Sequence, residues 1–318
     1  MIFSLLSFFG FSNGEEGLSW QTYKNKYVPS GSYVIDPYNG NRVTSESQGY
    51  GMILSVLYND KATFDNIWQW TKENLQRKDN LFYWFWNGEV KDKNNATDGD
   101  FLIAYALIKA YEKWKDKTYK LEGEKILNSL KNLVVIVKDN NLKDNYLILP
   151  ATYGFSNEKY DLIIFPSYYI TFILKDLSYQ DNFWKWTYNY TKNTLFKMKL
   201  STNLKFNLIE KNLIPVNPVN LDVYRVIPYT LLARENLDDL KKSFSEIDSF
   251  FKAKGYIPFN YKLEASDQEV SESPFCVYRF FYLLYGDEKY LERYKVLKNN
   301  DKNNYFCDTF ELFLDLGR

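Results

Sequence analysis

Three acidic residues stand where helices begin, each beside aromatic-rich sequence: Glu46 in TSESQGYGM (44–52), Asp98 in ATDGDFL (96–102) and Asp222 in NLDVYRVIP (220–228). Two carboxyl groups facing each other across a groove can divide acid–base work. One, kept protonated, gives its proton to a leaving oxygen; the other, ionised, takes a proton from water. The chain has no histidine, which excludes Ser-His-Asp and Cys-His catalysis, His-ligated zinc and an imidazole base. Chemistry near neutral pH therefore falls to carboxylates, lysine, tyrosine or a cofactor. A place at a helix start cuts two ways. The macrodipole rewards an acidic residue there by about 0.3–1 kcal/mol, so capping alone accounts for any one of the three. The same dipole lowers a carboxyl pKa, so a proton donor at Glu46 needs burial or a like-charged neighbour, and Asp98 is the candidate neighbour.

The elements that must position these residues are helices. Apolar residues recur at three and four spacings in 46–59, 61–77, 98–115, 121–138, 166–177, 181–197, 222–234, 237–253, 274–285 and 288–298, with a first helix near 17–27 and a last near 308–316. They come in pairs. One member is rich in small and apolar residues (GMILSVLY, LIAYALIKA, YYITFIL, VIPYTLLA, VYRFFYLL) and its partner is more charged. Such pairing suits an open solenoid or a closed ring with the apolar helices inside. Aromatic stretches (LFYWFW, YLILPATYGF, LKFNLI) between the pairs predict short strands or long loops on one rim, which favours the closed ring. Ser45-x-x-Gln48 and Thr97-x-x-Asp100 read as capping boxes, Ser273-Pro274 as an N-cap with proline following, and Asn220 as the cap of the helix that carries Asp222. With inner helices parallel, the three carboxylates gather at one end of the ring.

Composition narrows the partners. Lys plus Arg equal Asp plus Glu at 40 each, so no net charge draws the chain to nucleic acid or an anionic membrane. Aromatics reach 19% of the residues; most must be core, and the rest suit a cleft that stacks against sugar rings. Cys276 and Cys307 are too few and too far apart for a metal knuckle or a redox CxxC; they either pair or lie buried and free. Residues 1–14 are apolar but too short to span a bilayer. They are expected to be a truncated or atypical export signal, ahead of a single domain over 15–318.

At this point the motifs resemble a known family. ATDGDFLIAYALIKAYEKW (96–114) fits the signature of glycoside hydrolase family 8, Ala-[Ser/Thr]-Asp-[Ala/Gly]-Asp and its following helix. TSESQGYGM resembles that family's Ser-Glu-Gly-Gln-x-Tyr-Gly block, PSYY (166–169) its Pro-Ser-Tyr block and LDVYRVIP (221–228) its Tyr-Asp-Ala-x-Arg block, all in family order. The stretch ahead of Glu46 also resembles endoglucanases that accompany bacterial cellulose synthesis. The resemblance implies an all-α fold, an (α/α)6 barrel of six hairpins with short strands and long loops on one rim. It implies an inverting endo-hydrolase of β-1,4-glucan, without cofactor or metal. Glu46 would be the general acid and Asp222 the general base. Asp98 would hold and distort the sugar, and Arg225 would orient Asp222. Trp84, Tyr168 and Tyr50 would contact substrate, while Asp100 would cap its helix. A monomer, secreted or periplasmic, is expected, with association to a polysaccharide-synthesis complex as a further expectation.

Three departures flank the matched positions. Ser47 replaces a glycine, Leu221 an aromatic residue and Val223 an alanine; the expectation is activity that is slowed or shifted to a related substrate. A xylanase or lichenase of the same family, a non-hydrolytic β-glucan-binding protein and a helical scaffold for protein partners are the alternatives.

Overall fold

The computed structural model describes residues 18–156, 161–216, 219–261, 271–301 and 303–316; the expected export signal at 1–14 lies outside them. In chain order the helices are α1 (Trp20–Tyr27), α2 (Ser45–Leu57), α3 (Lys61–Leu75), α4 (Thr97–Trp114), α5 (Lys117–Lys131), α6 (Thr171–Ser178) and α7 (Asn182–Asn193). There follow α8 (Leu221–Tyr224), α9 (Val226–Leu232), α10 (Asp238–Ser243), α11 (Ser245–Lys254), α12 (Phe275–Tyr285), α13 (Glu288–Asn300) and α14 (Tyr305–Leu316). Burial separates them into two kinds. In α4 nearly every residue from Thr97 to Ala110 is buried, as expected of a helix covered on all sides. In α5 only a stripe is buried, Tyr119, Gly123, Ile126, Leu127 and Leu130, as on a helix with one face in water.

The buried helices close a ring. α2 packs on α4, α4 on α6, α6 on α9, α9 on α12, α12 on α14, and α14 returns to α2. Outside them α3 backs α2, α5 backs α4, α7 backs α6, α13 backs α12 and α1 lies on α14, while α10 and α11 follow α9 in the sixth outer position. This is an (α/α)6 barrel, as the family resemblance implies and as the helix pairing allows. Neighbouring inner helices end together: Lys113 Nζ donates to the Val56 carbonyl (2.7 Å) and Lys175 Nζ to that of Ala233 (2.8 Å). Their N-termini therefore share the other rim. Glycine lets two of them touch. A Cβ on Gly49 would lie 2.4 Å from Leu102 Cβ, and one on Gly99 would lie 2.3 Å from Ser45 Oγ and 2.7 Å from Glu46 N.

Short antiparallel strands feed that rim. Val43–Thr44 pairs with Tyr83–Trp86, which pairs with Val90–Asn95, so Thr44 opposes Phe85 at the threshold of α2. Val219–Asn220 pairs with Asn260–Tyr261 just before α8. Asp161–Ile164, Asn203–Asn207 and Asn212–Val216 form a third sheet. The aromatic stretches do become strands or loops there. One expected helix is half wrong: 121–138 ends as helix at Lys131, and Val134–Lys138 is a strand paired with Asp144–Ile148. Its VVIVK run is β-branched, which favours the pleated form once the helix has stopped.

Cys276 and Cys307 are paired, joining the starts of α12 and α14 across 31 residues. Closing a loop of this size is worth about 2–4 kcal/mol. The Cys276→Ala/Cys307→Ala protein should therefore lose that much in urea unfolding while still folding to the same helical content by circular dichroism.

Candidate active site

Caps place the carboxylates, though not the caps the sequence suggests. Thr44, not Ser45, caps α2: Thr44 Oγ1 accepts the Ser47 N–H (3.0 Å), and Ser47 Oγ accepts the Thr44 N–H (3.1 Å). Gln48 does not close the box; it holds Val34 through both its carbonyl and its amide group, and the amide also donates to Ser47 Oγ (2.9 Å). Ser47 is therefore turned back into the cap and buried. The N-cap of α4 is Ala96, with no side-chain cap; Thr97 Oγ1 donates to the Leu149 carbonyl instead. Asp100 is likewise no cap. It accepts the Phe82 N–H (2.9 Å) and the Asn95 side-chain amide (2.8 Å), tying the Trp84 hairpin to α4. Ser273 does not cap α12 but donates to the Pro258 carbonyl. Asn220 does cap α8, accepting the Asp222 N–H at 3.0 Å.

The three carboxylates meet at one cation. Arg225, at the break between α8 and α9, touches the Glu46 carboxylate with Nη1 and lies 3.5 Å from Asp98 Oδ2. Its Nη2 lies 3.5 Å from Asp222 Oδ1, and its Nε donates to the Asp222 carbonyl (3.3 Å). The side chains differ in exposure: Arg225 5%, Asp98 3%, Glu46 31% and Asp222 58%. Tyr168, half-buried in the turn Pro166–Tyr168, donates its hydroxyl to Asp98, which also accepts the Gly99 N–H (2.8 Å). Sequence reasoning thus names five residues that come together: Glu46, Asp98, Asp222, Arg225 and Tyr168. The like-charged neighbour of Glu46 is a poorer guide, because Arg225 is the group in contact with it.

Tyr50 is the misplaced member of the set. It is buried, its hydroxyl bonded to that of Tyr229, and Arg225 bonds Tyr229 in turn. It supports the guanidinium from behind instead of facing a substrate, because the glycines beside it face α4 and Val34 and turn its ring toward Phe310 and Phe313 of α14. Trp84 is half-buried on its strand, with its indole bonded to Asp92 and the Arg42 guanidinium 5.8 Å from its ring centre. Sequence reasoning missed Tyr229 and Arg42. Tyr229 stands four residues after Arg225, a spacing that puts both on one face of a helix. Arg42 shows no comparable signal.

Burial pushes the Asp98 carboxyl up, against the Gly99 N–H, with the Asp222 charge adding to the rise. Burial also pushes Asp222 up, and the Arg42 charge draws it back; protein surrounds this carboxylate on most sides although it opens to solvent. Asp100 is raised by burial to about 8, against the bonds from Asn95 and Phe82. The cluster at Arg225 holds three carboxyls for one guanidinium, so repulsion favours at least one retained proton, shared as a property of the group.

Two measurements follow from this geometry. Arg225→Met leaves the buried Asp98 carboxylate uncompensated and should cost about 3–5 kcal/mol in urea unfolding. Asp100, ordinarily near 4 in an unfolded chain, keeps its proton in the native state up to about 8. Native protein thus binds more protons than unfolded protein in that window, and stability falls as pH rises through it. Asp100→Asn should flatten the fall between pH 5 and 8; an unchanged slope would mean that Asp100 is ionised throughout.

Residues 2–204 match the sequence model of Glycosyl hydrolases family 8. The chain is 40% identical to an endoglucanase of Cellulomonas uda over 157 residues, 48% of this chain and 42% of that one. It is 36% identical to a probable endoglucanase of Novacetimonas hansenii over 156 residues, 48% and 44% of the two chains. The chain spans less than half the length of these curated relatives where it matches them. A GH8 endo-β-1,4-glucanase from an Achatina fulica gut metagenomic library superposes with a TM-score of 0.76 at 25% identity, covering 93% of this chain and 96% of that one. With the family's sequence model matched over more than half of its length, and the rim carboxylates in place on an (α/α)6 barrel, the chain belongs to glycosyl hydrolase family 8.

Proposed function

We propose that the chain is an inverting endo-1,4-β-glucanase working by general acid/base catalysis. The observation that carries this reading is the placement of Glu46 and Asp222, from distant parts of the chain, on either side of one guanidinium at an open rim. In the proposed reaction Glu46 protonates the glycosidic oxygen as its bond to the anomeric carbon breaks. Asp222 takes a proton from a water that attacks that carbon from the opposite face. Exposure supports this division: Glu46 is half-open, whereas Asp222 is the most open of the three and faces the Arg42 charge, which favours its ionised form. Asp98 is assigned to the sugar at the cleavage point. Its contact there requires Arg225 or Tyr168 to give way, since both cover it. Trp84 and Tyr168 are assigned to sugar binding, and Arg225 to orienting the carboxylates.

The departures at 47 and 223 weigh less against turnover than they do on sequence alone, because Ser47 serves the cap and Val223 lies in the core. We further propose one catalytic domain over 15–318, acting as a monomer outside the cytoplasm on β-glucan. The buried disulfide supports an oxidising compartment, and no helix among the described residues is long and apolar enough to cross a membrane.

Glu46→Gln and Asp222→Asn should each lower kcat/KM on carboxymethylcellulose by about 10²–10⁴-fold. Proton NMR of the first product should show the α anomer; a β anomer means retention and rejects the scheme. Parallel assays on mixed-linkage glucan, xylan and chitosan rank the substrates.

A further inference from the structure

A concavity of about 460 Å³ lies between the start of strand Asp144–Ile148 and α7, where Lys143, Asp144, Tyr146, Trp186, Asn189, Tyr190 and Thr194 line it. No member of the carboxylate cluster takes part. Trp186 is the exception among the aromatic residues of α7: Trp184, Tyr188 and Tyr190 are buried, whereas Trp186 is 51% exposed. Its ring stands 6.4 Å from that of Tyr146, which stands 6.5 Å from that of Tyr190. What sets Trp186 apart from the chain's other exposed aromatic residues, such as Tyr153 and Tyr179, is its place in the wall of a concavity, where its flat face is open for stacking.

A second feature points the same way. Tyr190 is only 5% exposed, and its hydroxyl has no hydrogen-bond partner among the described residues. A buried hydroxyl without a partner is unfavourable, and Tyr190 is one of the residues that line the concavity. The concavity therefore combines flat apolar faces with a carboxylate, an ammonium group, an amide and hydroxyls. A pyranose ring has the matching surface, since its C–H face stacks on an indole while its equatorial hydroxyls meet polar groups around the edge.

We infer that this concavity is a second, non-catalytic binding site for a glucose unit of a β-linked glucan chain. The ligand class rests on the glucanase reading above; the site itself rests on Trp186 and Tyr190. Its position fits a polymer. Tyr190 lies 6.3 Å from Tyr169, centre to centre, and Tyr169 follows Tyr168, the residue bonded to Asp98. The concavity is thus on the outer side of the rim that holds the carboxylates. Holding a chain there raises the effective concentration of the rest of that chain near the groove.

The experiment compares wild type, Trp186→Ala and Tyr190→Phe. Each is run by native-gel electrophoresis through hydroxyethylcellulose and assayed on carboxymethylcellulose and on cellotetraose. Trp186→Ala should lose retardation and raise KM on the polymer by about three- to tenfold, the worth of one aromatic stacking contact, with kcat/KM on cellotetraose unchanged. Tyr190→Phe should move retardation in the same direction by less, with no loss of thermal stability. Retardation and polymer KM unaltered by Trp186→Ala overturn the second site and leave the hydrolase reading standing. A wild type that neither cleaves nor is retarded by any glucan overturns the hydrolase reading and, with it, the ligand assigned here.

Discussion

A guanidinium almost wholly out of water must be compensated, and in this chain the compensation comes from three carboxylates on three helix starts. Arg225 touches Glu46 and lies 3.5 Å from both Asp98 and Asp222. Removing one partner of such an arrangement is far costlier than the net worth of making it. The arrangement therefore fixes α2, α4 and α8 relative to one another. Behind it Tyr229 and Tyr50 carry the connection to Phe310 and Phe313 of α14, the helix that closes the ring. The disulfide then fastens α14 to α12. Ring closure and site geometry are in this sense one problem, because the cation at the rim is held from the far side by the element that completes the barrel.

Steric allowance matters as much as charge. With any side chain at Gly99, the start of α4 would press on Ser45 and on the backbone of Glu46. The contact that brings Asp98 beside Glu46 thus depends on an atom that is missing. At Gly49 the same pair of helices meets at Leu102. Both approaches lie on the inner ring, where helices are covered on every face and a displaced backbone has nowhere to relax.

Much of this is legible in sequence, and the division follows range. Local periodicity finds the helices, and their apolar or amphipathic character separates inner from outer ones, because each is a property of a few consecutive turns. Caps are legible only to within a residue: Thr44 and Ser45 are chemically equivalent candidates, and the choice between them is made by the strand pairing of Thr44 with Phe85, a contact across 41 residues (85 − 44). The VVIVK run is ambiguous for the same reason, since its strand form depends on a partner at 144–148. Arg42 beside Trp84 depends on the pairing of 43–44 with 83–86, and Tyr50 against Tyr229 on closure of the ring, so both are out of reach of a single sequence.

The unequal exposure of the three carboxyls bears on how one cation can serve opposite protonation states. A guanidinium in contact with Glu46 favours its charged form, whereas a proton donor must hold its proton. The conflict eases when the cluster is treated as a whole. Three carboxyls share Arg225; Asp98 is sealed and pushed up by burial, and Asp222 faces Arg42 as a second cation. Arg42 opposes the rise at Asp222, whereas the Asp222 charge adds to the rise at Asp98. Of Glu46 and Asp98, Glu46 alone has a side chain open to solvent. Any sugar that draws Arg225 toward Asp98 or Asp222 removes the charge opposing protonation of Glu46, so substrate binding itself would prepare the proposed donor.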